Sequence, residues 1–117
     1  MITTLLFDLD DTLLGNDMGT FLPAYFKRLS GYFSGAADGE RLVPEMLTAT
    51  QAMVANTDPE RLLLDVFADC FSQGTGWTRA EFQPRFDQFY AGQYRELESL
   101  TTRRPEARQV VEWARTQ

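Results

Sequence analysis

Histidine is absent from the 117 residues, lysine occurs once, at Lys27, and cysteine once, at Cys70. Without imidazole there is no Ser-His-Asp triad, no Cys-His pair and no histidine zinc site. A lone thiol cannot close an intrachain disulfide and fits a reducing compartment. Apart from Lys27 the basic residues are all arginines, scattered along the chain, and acids outnumber them to a net charge of −6. That balance argues against nucleic acid and against an anionic membrane surface, because both recruit basic patches. No apolar run is long enough to span a bilayer. The start, Met1-Ile2-Thr3-Thr4-Leu5-Leu6-Phe7, has no basic flank and runs into carboxylates, so it does not read as a secretion signal. The expectation is a soluble, cytoplasmic protein.

What is present is an ordinary globular apolar content of 44%, enough for one modest domain. Ile2 to Phe7 is a short apolar run, β-branched at its start and bounded by aspartates, which predicts a buried parallel strand. Gly15-Asn16-Asp17 and Gly19 extend a loop behind it. Thereafter the apolar residues recur at helical spacing. Phe21 to Phe33 carry one stripe, which ends at Ser34 to Gly39, and Leu42 to Val54 carry a second. Asp58-Pro59 reads as the start of a third helix, through Leu63 to Phe71, closed by Gln73-Gly74-Thr75-Gly76. Thr78-Arg79-Ala80-Glu81 is a capping box ahead of an aromatic stripe, Phe82 to Leu97. Pro105 opens a last helix that runs to the end at Gln117. The plan is one strand and about five helices, and no other segment reads as a strand. A lone buried strand leaves its N–H and C=O groups unmatched. It therefore calls for more chain, for pairing with another molecule, or for poor order from Met1 to Leu14.

Asp8, Asp10 and Asp11 fall at the C-terminal end of the predicted strand, where open α/β sheets bind ligands. Alternation along an extended segment puts Asp8 and Asp10 on one side, with Leu9 turned away. Two carboxylates so close resist ionising together unless a cation intervenes, and Mg²⁺ is the hard, oxygen-seeking choice. One carboxylate can then attack phosphorus while the other handles the proton of the leaving oxygen.

Leu5-Leu6-Phe7-Asp8-Leu9-Asp10-Asp11-Thr12-Leu13 resembles the first signature motif of the haloacid dehalogenase-like (HAD) hydrolases. The resemblance implies an α/β parent fold with a Rossmann-type core and an inserted α-helical cap. This chain would be its mostly helical N-terminal portion, carrying one strand. It implies that Asp8 is the nucleophile and a Mg²⁺ ligand, and that Asp10 is the general acid/base and gives Mg²⁺ its carbonyl. Backbone N–H groups around Leu9 and Asp10 would hold phosphoryl oxygens, and Thr12 would brace the turn. An acid at position 10 favours phosphoryl transfer over carbon–halogen cleavage. Residues 1–20 would form the first strand and catalytic loop, 21–98 the cap, and 99–117 the return helix.

The family's later motifs are a Ser or Thr, then a Lys, then an acidic pair, and they would lie beyond Gln117. Lys27 belongs to a cap helix and does not supply the Lys. The expected activity is hydrolysis of a small phosphorylated metabolite, with the 117 residues inactive alone. Asn16 and Asp17, in the loop facing the cap, are candidate substrate contacts. The aromatic stripe is expected to be core, Cys70 a small buried hydrophobe, and Lys27 and Arg28 a solvated face. The alternative is a non-enzymatic helical module that binds a partner and carries an idle Asp cluster.

Overall fold

The computed structural model describes residues 3–34 and 39–116. Four helices form its body: α1 (Met18–Phe33), α2 (Gly39–Ala55), α3 (Leu63–Thr75) and α4 (Arg79–Ala91). A 3₁₀ helix, Gln93–Leu100, follows α4. Two three-residue strands, β1 (Leu14–Asn16) and β2 (Thr101–Arg103), flank this body in sequence, and α5 (Pro105–Ala114) closes the described chain.

The helices follow the apolar periodicity. Their stripes converge on one core that includes Leu29, Phe33, Leu42, Met46, Phe71, Phe82, Phe86 and Phe89. Phe71 is fully buried, with the rings of Phe67, Trp77, Phe82 and Phe86 between 5.0 and 6.4 Å away. Edge-to-face and stacked pairs of this kind add to the stabilisation that burial alone provides. Phe82, Phe86 and Phe89 of the aromatic stripe of α4 are core as expected, Tyr90 is exposed, and Cys70 packs half-buried against the core. Helix ends obey local chemistry. Gly76 caps α3 at φ 77°, a left-handed conformation that costs glycine little. The Thr78 N–H donates to the Glu81 carboxylate at 2.8 Å, completing the expected box at α4. This hydrogen bond, with a second from the Thr78 hydroxyl, holds the Glu81 carboxyl below its ordinary range.

Three expectations change. The buried parallel strand does not form: Ile2 lies outside the described residues, and Thr3 to Phe7 are exposed and belong to no strand. The segment finds no extended neighbour among the described residues. Thr3, Thr4, Leu5 and Phe7 instead share a groove with Val111, Trp113 and Ala114 of α5. The strands that do form are β1 and β2, antiparallel, with Leu14 opposite Arg103, Gly15 opposite Thr102 and Asn16 opposite Thr101. The chain is thus mostly helical with one small two-stranded sheet.

The second change is at Asp58-Pro59, which forms a turn and not a helix start. Asp58 Oδ1 accepts the Glu60 N–H and its carbonyl accepts the Arg61 N–H, while the Asn56 side chain holds the Asp58 backbone. The helix begins at Leu63, just ahead of the first buried apolar position, Val66. Third, the stripe from Phe82 to Leu97 is not one helix. Gly92, at φ −113° and ψ −99°, breaks it, and the 3₁₀ turn carries Tyr94 and Leu97 round to a different side. The expected helix break at residues 35–38 and the end at Gln117 lie outside the described residues.

The molecule is elongated, 51 × 37 × 23 Å, with a radius of gyration of 17.3 Å against roughly 13 Å for a compact chain of this length. The excess comes from the N-terminal segment and α5, which stand beyond the helical body. Helix α5 buries no residue, and Leu6 is 93% exposed. Among the described residues no helix is long and apolar enough to cross a membrane.

Stability should therefore reside in the helical body. Phe89→Ala should cost about 3–5 kcal/mol, much of the total for a domain this size. Leu6→Ala should change it by less than about 0.5 kcal/mol. Urea unfolding followed by circular dichroism checks both, and comparable losses for the two would contradict this division.

Candidate active site

The Asp loop is a tight turn wound on one carbonyl. Leu9 C=O accepts the N–H groups of Thr12, Leu13 and Leu14 at 3.3, 3.0 and 2.9 Å. Asp11 takes φ 52°, the only positive φ at a non-glycine residue among those described. Such a turn suits glycine best, and aspartate is one of the few side chains that tolerates it. The Asp11 carboxylate pairs with Arg104, directly ahead of α5.

The two expected catalytic carboxylates have separate anchors. Asp8 Oδ2 accepts the Thr12 hydroxyl at 3.0 Å. Thr12 therefore braces the turn as expected, and its single O–H proton is committed to Asp8. Asp10 Oδ1 accepts from Asn16 Nδ2 at 3.1 Å, while Asn16 Oδ1 accepts the Asp11 N–H at 2.9 Å. Asn16 sits in β1, so the β1–β2 pairing fixes the residue that holds Asp10. Asp8, Leu9, Asp10 and Thr12 are all solvent-exposed.

Asp17 turns out to be a helix cap. Its side chain accepts the Gly19 N–H at 3.1 Å and the Thr20 hydroxyl at 2.6 Å, which closes the N-terminus of α1. The Thr20 hydroxyl first, then the Gly19 N–H, hold its carboxyl below the ordinary range. Lys27 is exposed, as expected of a solvated face, whereas Arg28 pairs with Glu96 on the 3₁₀ helix.

A cavity of about 540 Å³ opens between the Asp loop, the start of α1 and the 3₁₀ helix. Asp10 and Asn16 lie on one wall, Met18 and Phe21 on another, and Tyr94, Arg95 and Leu97 face them. This is the size range of small-molecule sites. Burial first, then Tyr90 and the charge of Asp10, push the Tyr94 phenol up, so it stays neutral. Of these residues, Tyr94 had read as core, and Arg95 and Arg103 carried no signal. The turn after Gly92 places Tyr94 and Arg95 there, and the β1–β2 pairing places Arg103.

Among the described residues no group of three or more Asp, Glu, Cys or His is arranged to hold a metal ion. Asp8 and the Asp10 carbonyl are hard oxygen donors, the kind Mg²⁺ takes in ones and twos while keeping water and phosphate in its other positions. Chemistry fits, and the shell stays open. Comparison with protein-family models, with curated proteins and with solved structures finds no match.

Two outcomes follow. Asp11→Gly should keep the fold, whereas Asp11→Val should cost about 1–2 kcal/mol by forcing a β-branched residue to positive φ. Matched thermal melts check this, and equal stability of the two variants would refute it. The second concerns acid. A carboxyl lowered in the folded state stabilises the fold above its unfolded value, and that contribution is lost as pH falls through the folded one. Melting temperature should thus drop between about pH 5 and pH 3, and Asp17→Asn should flatten part of that slope. An unchanged slope would show that the cap does not titrate with folding.

Proposed function

We propose that this chain carries the nucleophile end of a Mg²⁺-dependent phosphohydrolase of the HAD type. The observation behind the reading is the loop itself. An Asp-x-Asp-x-Thr turn holds Asp8 through Thr12 and Asp10 through Asn16, and Asp10 and Asn16 line a cavity beside it.

In this reading Asp8 Oδ attacks the phosphorus of a phosphomonoester, and the P–O bond to the alcohol breaks. The leaving oxygen takes a proton from protonated Asp10, giving free alcohol and an aspartyl-phosphate. Water, deprotonated by Asp10, then attacks that phosphorus and releases phosphate and the Asp8 carboxylate. Bound Mg²⁺ would offset the repulsion between Asp8 and the phosphate, with Asp8 and the Asp10 carbonyl as its protein ligands from this chain. Helices α1 to α4 would act as a cap that excludes water and selects the substrate, a small phosphorylated metabolite.

The exposed run Leu5-Leu6-Phe7 and the open face of α5 have a place in the same reading. They are the surfaces on which further strands of an α/β core would pack, bringing the Ser or Thr, the Lys and the acidic pair of the family pattern. A single free thiol, at Cys70, accords with a cytoplasmic setting. The same exposed apolar surface also favours a second reading, a non-enzymatic module that docks on a partner and leaves its aspartates unused.

In the complete protein, Asp8→Asn should abolish phosphate release while circular dichroism stays unchanged. The 117 residues alone should show no turnover. Retention of a tenth or more of activity in Asp8→Asn would sink the nucleophile assignment. Turnover by the isolated chain would sink the claim that its site is incomplete.

A further inference from the structure

The cavity beside Asp10 has a composition that narrows the substrate. Leu9, Leu14, Met18, Phe21, Tyr94 and Leu97 supply most of its wall. Phe21 and Tyr94 meet edge to face, 6.3 Å apart at 79°, and present ring surface to the space. Tyr94 is held from behind by Tyr25, Phe89 and Tyr90, with ring centroids at 5.9, 6.3 and 5.1 Å, so that wall is stiff. On the same wall Asn16 donates to Asp10, and the other polar groups are Glu98, Thr101 and two arginines. The Phe21 and Tyr94 rings give most to a ligand with an apolar body of its own. Arg95 and Arg103 line the same cavity, and neither has an acidic partner among the described residues. They favour an anion at the mouth over a neutral ligand.

We propose that this cavity takes the apolar body of a phosphomonoester, an aryl or branched-alkyl phosphate, with the phosphate at the Asp loop and the ring against Phe21 and Tyr94. The inference rests on the phosphohydrolase reading for the position of the phosphate, and on the cavity alone for the class of alcohol.

The test uses the complete protein with 1-naphthyl phosphate and glycerol 2-phosphate as probes. Two readouts are needed: kcat/KM for each ester, and calorimetric affinity of the Asp8→Asn variant for each. Naphthyl phosphate should win by roughly tenfold or more in both, the scale of a few buried carbons. Met18→Gln, at a half-open position on the rim, should cut that ratio by roughly threefold, and Phe21→Ser by more. Equal kcat/KM for the two esters, with turnover still dependent on Asp8, would overturn the substrate class and leave the phosphohydrolase reading intact. No turnover of either ester, with tight and selective naphthyl phosphate binding, would do the reverse. Equal affinities overturn the proposal whatever the turnover.

Discussion

The candidate site depends on three residues of backbone pairing. Leu14, Gly15 and Asn16 lie against Arg103, Thr102 and Thr101, so the chain enters and leaves the helical body at one place. The approach is close. A Cβ on Gly15 would stand 2.3 Å from Thr102 Oγ1 and 3.3 Å from the Thr102 carbonyl oxygen, so the Thr102 side chain would have to turn away. Closing a loop of on the order of 80 residues costs about 4 kcal/mol in chain entropy. A ladder of a few hydrogen bonds, each worth about 1 kcal/mol net, offsets most of that but leaves no surplus to hold the strands together. The pairing is therefore a consequence of the helical core, which brings residues 17 and 100 together before the strands meet. Loss of core packing would then release the Asp loop.

Aromatic packing carries that constraint outward. The rings form a continuous series from Phe71 through Phe86 and Phe33 to Tyr32 and Phe89. Phe89 then meets Tyr25 at 6.0 Å and Tyr94 at 6.3 Å, and Tyr94 reaches Phe21 on the cavity wall. The Tyr25 and Tyr90 hydroxyls bond at 2.8 Å, which gives the more buried Tyr25 phenol a partner. Burial and that bond push the Tyr25 phenol up, so it remains un-ionised and the network stays neutral. Packed aromatics with few rotamers transmit position well. The cavity wall is thus an extension of the core rather than a loose surface.

Much of the helical body was legible because helical periodicity depends on one repeated geometric fact. Phe82, Phe86 and Phe89 are three or four residues apart and share a face whatever surrounds them. The caps at Gly76 and Thr78 were legible for the same local reason. What failed was whatever depended on partners distant in sequence. Thr3 to Phe7 have strand composition, but a strand exists only beside another, and composition does not say which segment supplies it. Leu14 to Asn16, with a glycine at the centre, look like loop and become strand because Thr101 to Arg103 arrive beside them. Asp58-Pro59 has good cap chemistry, yet Asn56 captures its backbone first. Tyr94, assigned to the core on periodicity, does pack against it, and it also lines the cavity, which periodicity did not indicate. At the Asp loop the residue types were legible, but not the division of labour. Thr12 serves Asp8 and Asn16 serves Asp10, while Asp17, adjacent to Asn16, faces away to cap α1.

Charge sets the remaining condition on the proposed chemistry. Asp8, Asp10 and Asp11 place three carboxylates within four residues, and Arg104 pairs with one of them. A phosphate dianion approaching Asp8 would meet like charge. At about 4 Å each unit pair is worth about 1 kcal/mol in bulk water and about 4 kcal/mol in a partly closed site. Closure of a cap over the loop would thus strengthen the repulsion at the moment it excludes water. Arg95 and Arg103 line the cavity, Arg103 opposite Leu14 in the strand pairing, where their charge would attract an anion. A cation seated between Asp8 and the phosphate resolves the conflict, since it converts the like-charge contact into two attractive ones. The two oxygen donors of the loop suit such an ion but do not complete its shell. In the proposed chemistry, the electrostatic need at the loop and the unpaired apolar run before it are met together by the same neighbouring strands, whose ends would carry the Lys and the distal acids.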